Sequence, residues 1–298
     1  MSHHHHPNKF NRAFAAGVIL NAIFVGVELT YGIIAESLAL IADAGHNFGD
    51  VLVLLLAWGA NILAARKPTH RRTYGYRRMT ILAPLLSAML LLFALGGISW
   101  EAIGRLQTPV PVHAETVIIV AGLGVIINTL TALLFMSGHK HDLNIKGAFL
   151  HMVADAAVSL AVVGAGFAIM KTGYLWLDPA LTLLVVVVVL ISTLGLLRDS
   201  FNLAVDAVPR GIDPDRVRDY LLGVSGVGEI HDFHIWGMST TQTALTVHLV
   251  MPERPADDDF LHSVAKQLKE QFGIEHSTIQ IEHDKGKAAC HYNDSQCL

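Results

Sequence analysis

Charge is what this sequence has least of. Only 15% of its residues are Asp, Glu, Lys or Arg, against about 25% in an ordinary soluble domain. The shortage is confined to Asn11–Ser200; from Asp206 onward the composition is that of a soluble domain. That split predicts one membrane part and one small aqueous part. Cysteine is nearly absent too: Cys290 and Cys297 both fall in the tail, so no disulfide framework is expected. No dense basic face accompanies the net charge of −4, which argues against nucleic-acid binding. No stretch after Asn11 joins a short apolar core to a small-residue cleavage site, so no cleavable signal peptide is expected. Neither His-Glu-x-x-His nor Gly-x-Ser-x-Gly occurs, which removes the signatures of a zincin protease and of an α/β-hydrolase.

Apolar sequence and histidine are abundant instead. A spanning helix needs about 20 mostly apolar residues. Stretches near Phe14–Ile34, Leu38–Ala65, Met79–Leu106, Glu115–Met136, Gly147–Met170 and Leu175–Leu197 meet that requirement, predicting an all-α, six-helix membrane domain. Arg66, Lys67, Arg71, Arg72, Arg77 and Arg78 lie between the second and third spans, Lys140 and Lys146 after the fourth, and Arg198 at the end of the sixth. The opposite loops carry almost no basic residues, so the basic side is expected to be cytoplasmic, with both termini on it.

Beyond Pro209 the chain reads as a compact α/β module. Asp213-Pro214 marks a helix start and Gly223 its end. Ile230–Met238 and Ala244–Met251 alternate as strands. Asp257 is placed to cap a helix striped by Phe260, Leu261, Val264 and Leu268; Gly273 stops it, and Thr278–Glu282 forms a last strand. The expected organisation is a His-rich leader (1–10, a tag remnant or a native metal-collecting tail), a transmembrane domain (11–206), an αββαβ domain (207–285) and a tail (286–298). A domain of about 75 residues has a small core, so dimerisation is expected.

The chemistry concentrates in two copies of His-x-x-x-Asp, His46–Asp50 in span two and His151–Asp155 in span five. Residues four apart share a helix face, and both aspartates lie within about 5 Å of mid-span at a rise of 1.5 Å per residue. Facing helices would therefore bring together His46, Asp50, His151 and Asp155, two nitrogens and two oxygens that suit tetrahedral Zn²⁺. A lone Asp at a helix centre costs roughly 2.5–3.5 kcal/mol on insertion scales, and no Lys or Arg lies deep in any span to offset it. A divalent cation would balance both carboxylates, and protons would do so after it left. Asp43 either assists metal access and release or is a helix-start residue wetted from outside. Asn21, Glu28 and Asn128 are expected to hydrogen-bond between helices. Asp178, before Pro179, reads as the cap of span six.

These residues resemble the cation diffusion facilitator family across nearly the whole chain. The resemblance rests on Ser37-Leu-Ala-Leu-Ile-Ala-Asp-Ala-Gly-His46, the paired His-x-x-x-Asp motifs, Asp178-Pro179 and His231-Asp-Phe-His-Ile-Trp236. It implies a C-terminal ferredoxin-like, metallochaperone-like cytoplasmic domain, a homodimer in the bacterial inner membrane surrounded by lipid, and Zn²⁺ export driven by inward proton flow. It places the transport site on His46, Asp50, His151 and Asp155. His at the first of these positions implies zinc preference, and leaves open whether Cd²⁺, Co²⁺ or other divalent cations are also carried. A second metal site is expected on His231, His248 and Glu282, with Asp284, Glu275 or His276 nearby, because pairing of the two strands can set the histidines opposite each other. Strict alternation puts His234 and Trp236 on the other face. The loop between spans two and three offers only His70, so no metal site is expected there; Cys290, His291 and Cys297 are expected in a disordered tail. Either Arg77 or Arg78 is placed to pair with Asp206. The rival functions are a membrane-bound zinc sensor without transport and an intramembrane zinc enzyme.

Overall fold

The computed structural model describes residues 8–136, 143–252 and 258–283, with side chains for 19–133, 149–252 and 258–283. The leader His3–His6, Asp257, Asp284, Cys290, His291 and Cys297 therefore lie outside the described residues. Six long helices come first: α1 (Asn8–Ile34), α2 (Leu38–Ala64), α3 (Met79–Gln107), α4 (Ala114–Met136), α5 (Leu143–Thr172) and α6 (Leu177–Ala204). Then come α7 (Pro214–Leu222), β1 (Glu229–Gly237), β2 (Thr243–Val250), α8 (Asp258–Phe272) and β3 (Ile274–Glu282). Among the described residues five helices are long and apolar enough to cross a membrane, and α1 adds a shorter apolar stretch, Ile19–Ile34. Large apolar side chains such as Phe93, Trp100 and Ile191 point outward, as a hydrocarbon solvent permits.

The chain divides into two compact units. One takes residues up to Leu56 and Leu86–Gly195; the other takes Ala57–Leu85 and everything from Leu196.

In the first unit α2 is the central element. Its Ala39 and Leu40 pack with Val117, Val120 and Ala121 of α4 and Val162 of α5. Its Ala42 packs with Leu95 of α3 and with Val185, Val186 and Val189 of α6. Small residues at these contacts bring the backbones close, the usual basis of helix association in lipid. Gly124 of α4 does the same: a Cβ there would lie 2.9 Å from Phe24 Cζ and 3.0 Å from Ser159 Oγ. That close approach holds α5 at the depth where its functional residues face α2.

The second unit holds a three-stranded sheet in the order β1-β2-β3, with β1 and β2 antiparallel and β2 and β3 parallel. Asp213 caps α7, accepting hydrogen bonds from the backbone N–H groups of Asp215 and Arg216. Gly223 ends the helix in the right-handed region, φ −77°. One sheet face carries Ile230, Ile235, Leu245, Val247 and Leu249 and is covered by Val217 and Leu221 of α7 and Val264 and Leu268 of α8. Gly273, at φ +69°, turns the chain from α8 directly into β3, so the last strand begins four residues earlier than Thr278, where β-propensity placed its start. α6 likewise runs two turns beyond the expected Leu197, and its Leu203 packs against Gly237 at the end of β1. Asp206, held at φ +62°, accepts a hydrogen bond from Arg78 at 2.5 Å, so the arginine that pairs with it is Arg78.

The close approach at Gly124 is testable. Gly124→Leu should destabilise the solubilised protein by about 1–3 kcal/mol, the usual effect of overpacking. Gly122→Leu, where a Cβ would meet nothing within 4 Å, should leave the thermal unfolding midpoint nearly unchanged.

Candidate metal centres

The two His-x-x-x-Asp motifs face each other. His46 Nε2 is 3.1 Å from Asp155 Oδ1, and His151 Nε2 is 3.0 Å from Asp50 Oδ2. Within each helix the contacts are longer, 3.9 Å for His46–Asp50 and 3.7 Å for His151–Asp155. The imidazole rings stand edge to face with centroids 5.9 Å apart. Four ligands held 2.0–2.1 Å from a tetrahedral ion sit about 3.3 Å from one another, so these separations bracket the edges of such a site. Burial is uneven: the side chains of His46 and Asp155 are 15% and 2% exposed, those of Asp50 and His151 36% and 42%. The four groups thus form a cup with a dry end at Asp155 and an open end at His151. What this arrangement can do is hold a dication between two carboxylates and exchange it at one side.

The second cluster lies on the outer face of the sheet. His231 and His248 pair directly across β1 and β2, with ring centroids 5.0 Å apart. His231 Nε2 is 3.3 Å from Glu282 Oε2, His248 Nδ1 is 3.0 Å from Glu282 Oε1, and the two ring nitrogens are 3.3 Å apart. All three separations match the edge of a tetrahedral site. Glu282 Oε1 also accepts a hydrogen bond from Gln280 Nε2 at 3.0 Å, which orients it.

Two expectations about this face need correcting. Four residues of β1, His231 to His234, oppose three residues of β2, His248 to Thr246. This bulge, with Asp232 at φ +49°, shifts the alternation by one. His234, paired with Thr246, and Trp236, paired with Ala244, therefore share the face of His231 and His248 rather than occupying the opposite one. Glu275 and His276 lie at the far end of β3, where the His276 ring meets Tyr74 edge to face at 5.8 Å, too far along the strand to join Glu282. The bulge also delivers a residue that strict alternation had hidden: Asp232 Oδ2 is 3.3 Å from His248 Nε2.

Family models for the cation efflux transmembrane domain and the cation efflux cytoplasmic domain match residues 14–203 and 209–284. The chain belongs to the cation efflux family, the cation diffusion facilitators. It is 34% identical over 299 residues to the metal cation efflux system protein CzcD of Cupriavidus metallidurans, covering 99% of this chain and 95% of that protein. It is 34% identical to the zinc transporter ZitB of Escherichia coli over 94% of this chain and 90% of that one. To a Bacillus subtilis cadmium, cobalt and zinc/H(+)-K(+) antiporter it is 31% identical, over 95% and 92% of the two chains. Metal cation transport, not enzymatic turnover, is the activity of this family.

Around the first centre of this cation efflux protein, the buried polar residues serve specific ends. Asp178 does not cap its own helix. Its carboxylate caps α2, accepting hydrogen bonds from Ser37 Oγ at 2.5 Å, Leu38 N at 2.8 Å and Ala39 N at 3.4 Å. The first turn of a helix has free N–H groups and a positive partial charge, so α6 fixes the end of the helix that carries His46 and Asp50. Asp43 is fully buried rather than wetted, and accepts a hydrogen bond from Ser159 Oγ at 3.0 Å. Glu28 of α1 accepts one from Asn47 Nδ2 of α2 at 3.1 Å, and Asn21 donates to Met152 Sδ of α5 at 3.9 Å. These two are interhelical, as expected. Asn128 is not: it is fully buried, and neither end of its amide is paired among the described residues.

Removing the Asp178 cap should loosen α2. We expect Asp178→Ala to lower stability by about 1–2 kcal/mol, the usual loss for a cap, seen as a lower thermal midpoint of the solubilised protein. Asp178→Asn, which keeps an acceptor, should recover part of the difference.

Proposed function

We propose that this protein exports Zn²⁺ from the cytoplasm across the bacterial inner membrane in exchange for protons, through a tetrahedral site of His46, Asp50, His151 and Asp155. The observation that carries this reading is the clustering of His46, Asp50 and Asp155 from α2 and α5 within 4.8 Å of one another, with His151 3.0 Å from Asp50. Two nitrogen and two oxygen donors suit Zn²⁺, and the absence of thiolates favours exchange over permanent binding. Proton coupling follows from the same groups. A carboxylate deep in a span has to be neutralised, and imidazole changes charge near neutral pH. Metal and proton therefore compete for one set of lone pairs: Zn²⁺ displaces protons on the cytoplasmic side, and protonation on the far side releases Zn²⁺. Binding near the midplane with alternating access is the common logic of secondary transport. The name of the Bacillus relative, with cadmium, cobalt, zinc and H(+) in it, supports both the exchange and a wider set of cargo ions, Cd²⁺ and Co²⁺ among them.

The rest of the chain fits this role. Residues 11–206 serve as the transport domain and 207–285 as a cytoplasmic domain, with both termini on the basic, cytoplasmic side. That domain dimerises the protein and binds regulatory zinc at His231, His248 and Glu282. Zinc there is held by two ring nitrogens and a carboxylate. A sensor that transports nothing would need only this second cluster and leaves the carboxylates of α2 and α5 without a purpose.

The test uses purified protein in liposomes with a zinc dye and a pH dye inside. Asp50→Ala and Asp155→Ala should each reduce zinc-driven proton movement at least 100-fold, while His231→Ala should leave a measurable flux. Wild-type-like flux from either aspartate variant would overturn the site assignment. Zinc binding without flux in the parent protein would favour the sensor.

A further inference from the structure

His248 is the one imidazole in the sheet cluster with a partner at each ring nitrogen. Its Nδ1 faces Glu282 Oε1 at 3.0 Å and His231 Nε2 at 3.3 Å; its Nε2 faces Asp232 Oδ2 at 3.3 Å. An ionised carboxylate only accepts hydrogen bonds, so Glu282 and Asp232 compete for the one proton of a neutral His248 ring, and a cation held on Nδ1 beside Glu282 leaves that proton on Nε2, facing Asp232. The other oxygen of the same carboxylate, Asp232 Oδ1, is 3.1 Å from His234 Nε2. Asp232 is thus gripped between two imidazoles. It reaches this position only because the bulge holds it at φ +49°, a left-handed conformation that Asp and Asn tolerate better than most residues.

We propose that Asp232 is the positioning residue of the sheet metal site: it does not touch the ion, but fixes the His248 ring and tautomer so that Nδ1 is the donor. Metal-binding histidines regularly give their second N–H to a carboxylate, which orients the ring and raises the basicity of the ligating nitrogen. Here that carboxylate comes from the residue next to His231, so one two-residue step of β1 supplies both a ligand and the support for the ligand opposite. His234 completes the arrangement by holding the second carboxylate oxygen. The assignment rests on the reading of His231, His248 and Glu282 as metal ligands.

The full-length protein, labelled with ¹⁵N-histidine and reconstituted in nanodiscs, separates these points by nuclear magnetic resonance. His248 is identified by loss of its signals in His248→Gln. Added Zn²⁺ should shift Nδ1 of His248 and leave its Nε2 protonated. In Asp232→Gly, which suits the backbone at φ +49° and removes the carboxylate, the zinc-bound ring should mix Nδ1-bound and Nε2-bound forms. The zinc concentration giving half the shift should rise about 10- to 100-fold, the usual loss when such a support is removed. Asp232→Asn, which keeps an acceptor and tolerates the same backbone, should restore the tautomer and most of the affinity. An unchanged tautomer and affinity in Asp232→Gly, or zinc binding through Nε2 in the parent, would overturn the proposal. No zinc response at His248 in the parent would remove the metal reading itself, and with it the positioning role that rests on it. A zinc response at His248 that survives His231→Ala and Glu282→Ala would remove that reading's ligand set.

Discussion

Two carboxylates inside a bilayer set the terms for everything around them. Asp50 and Asp155 cannot be ionised in hydrocarbon without compensation, and the described spans place no Lys or Arg beside them. What compensates them has to come from outside the chain, as a dication or as protons. The fold answers by building α2 and α5 as a facing pair, each with an imidazole one turn from its carboxylate, and by surrounding that pair with close helix contacts. Gly124 admits Phe24 and Ser159 to van der Waals distance. Asp178 ties down the first turn of α2, and Ser159 and Asn47 each hydrogen-bond one oxygen of the neighbouring buried acids Asp43 and Glu28, whose other oxygens have no partner among the described residues. Each of these holds the ligands in register without contributing a ligand.

Most of this architecture was legible in the residues because the bilayer is a demanding solvent. Every backbone polar group in hydrocarbon must be paired within its own segment, so apolar length translates almost directly into helices. The spacing of four between His and Asp then fixes which groups share a face. Helix partners are harder to read. Asp178 lies next to Pro179 and looks like the cap of its own helix; that it caps α2 depends on packing between segments more than a hundred residues apart. Asn128 shows the same limit from the other side, since a buried amide in a span predicts a partner and this one has none among the described residues. In the sheet, the direct pairing of His231 with His248 followed from strand spacing, but the bulge at Asp232 carries no signature in a string that alternates well. One extra residue moved His234 and Trp236 to the other face and exposed a carboxylate that a period of two had assigned away.

The two clusters use the same donor types in different surroundings, and the difference in exposure gives them different chemistry. The sheet triad is partly open to water, with a supporting hydrogen bond from Gln280 to Glu282 and the Asp232 carboxylate 3.3 Å from His248 Nε2. Water solvates its charges whether or not an ion is present, so binding there changes little in the fold. The cup between α2 and α5 has no such relief at its dry end. Asp155 is 2% exposed and meets His46 at 3.1 Å, so its charge is countered by whatever occupies the cup.

The open end of the cup then decides how an ion reaches it. Asp50 and His151 are the exposed half, and they pair with each other rather than with their own helix neighbours. If hydrocarbon covered that opening, an ionised Asp50 would cost roughly 2.5–3.5 kcal/mol on insertion scales. Under the proposed function, that opening is a water-filled access. A cation arriving through it meets one carboxylate and one imidazole that water already solvates, and loses its remaining hydration only as His46 and Asp155 replace it. The partly wet half makes capture and release reversible, and the buried half makes occupancy obligatory: one carboxylate too dry to stay bare, reached through another that water can hold.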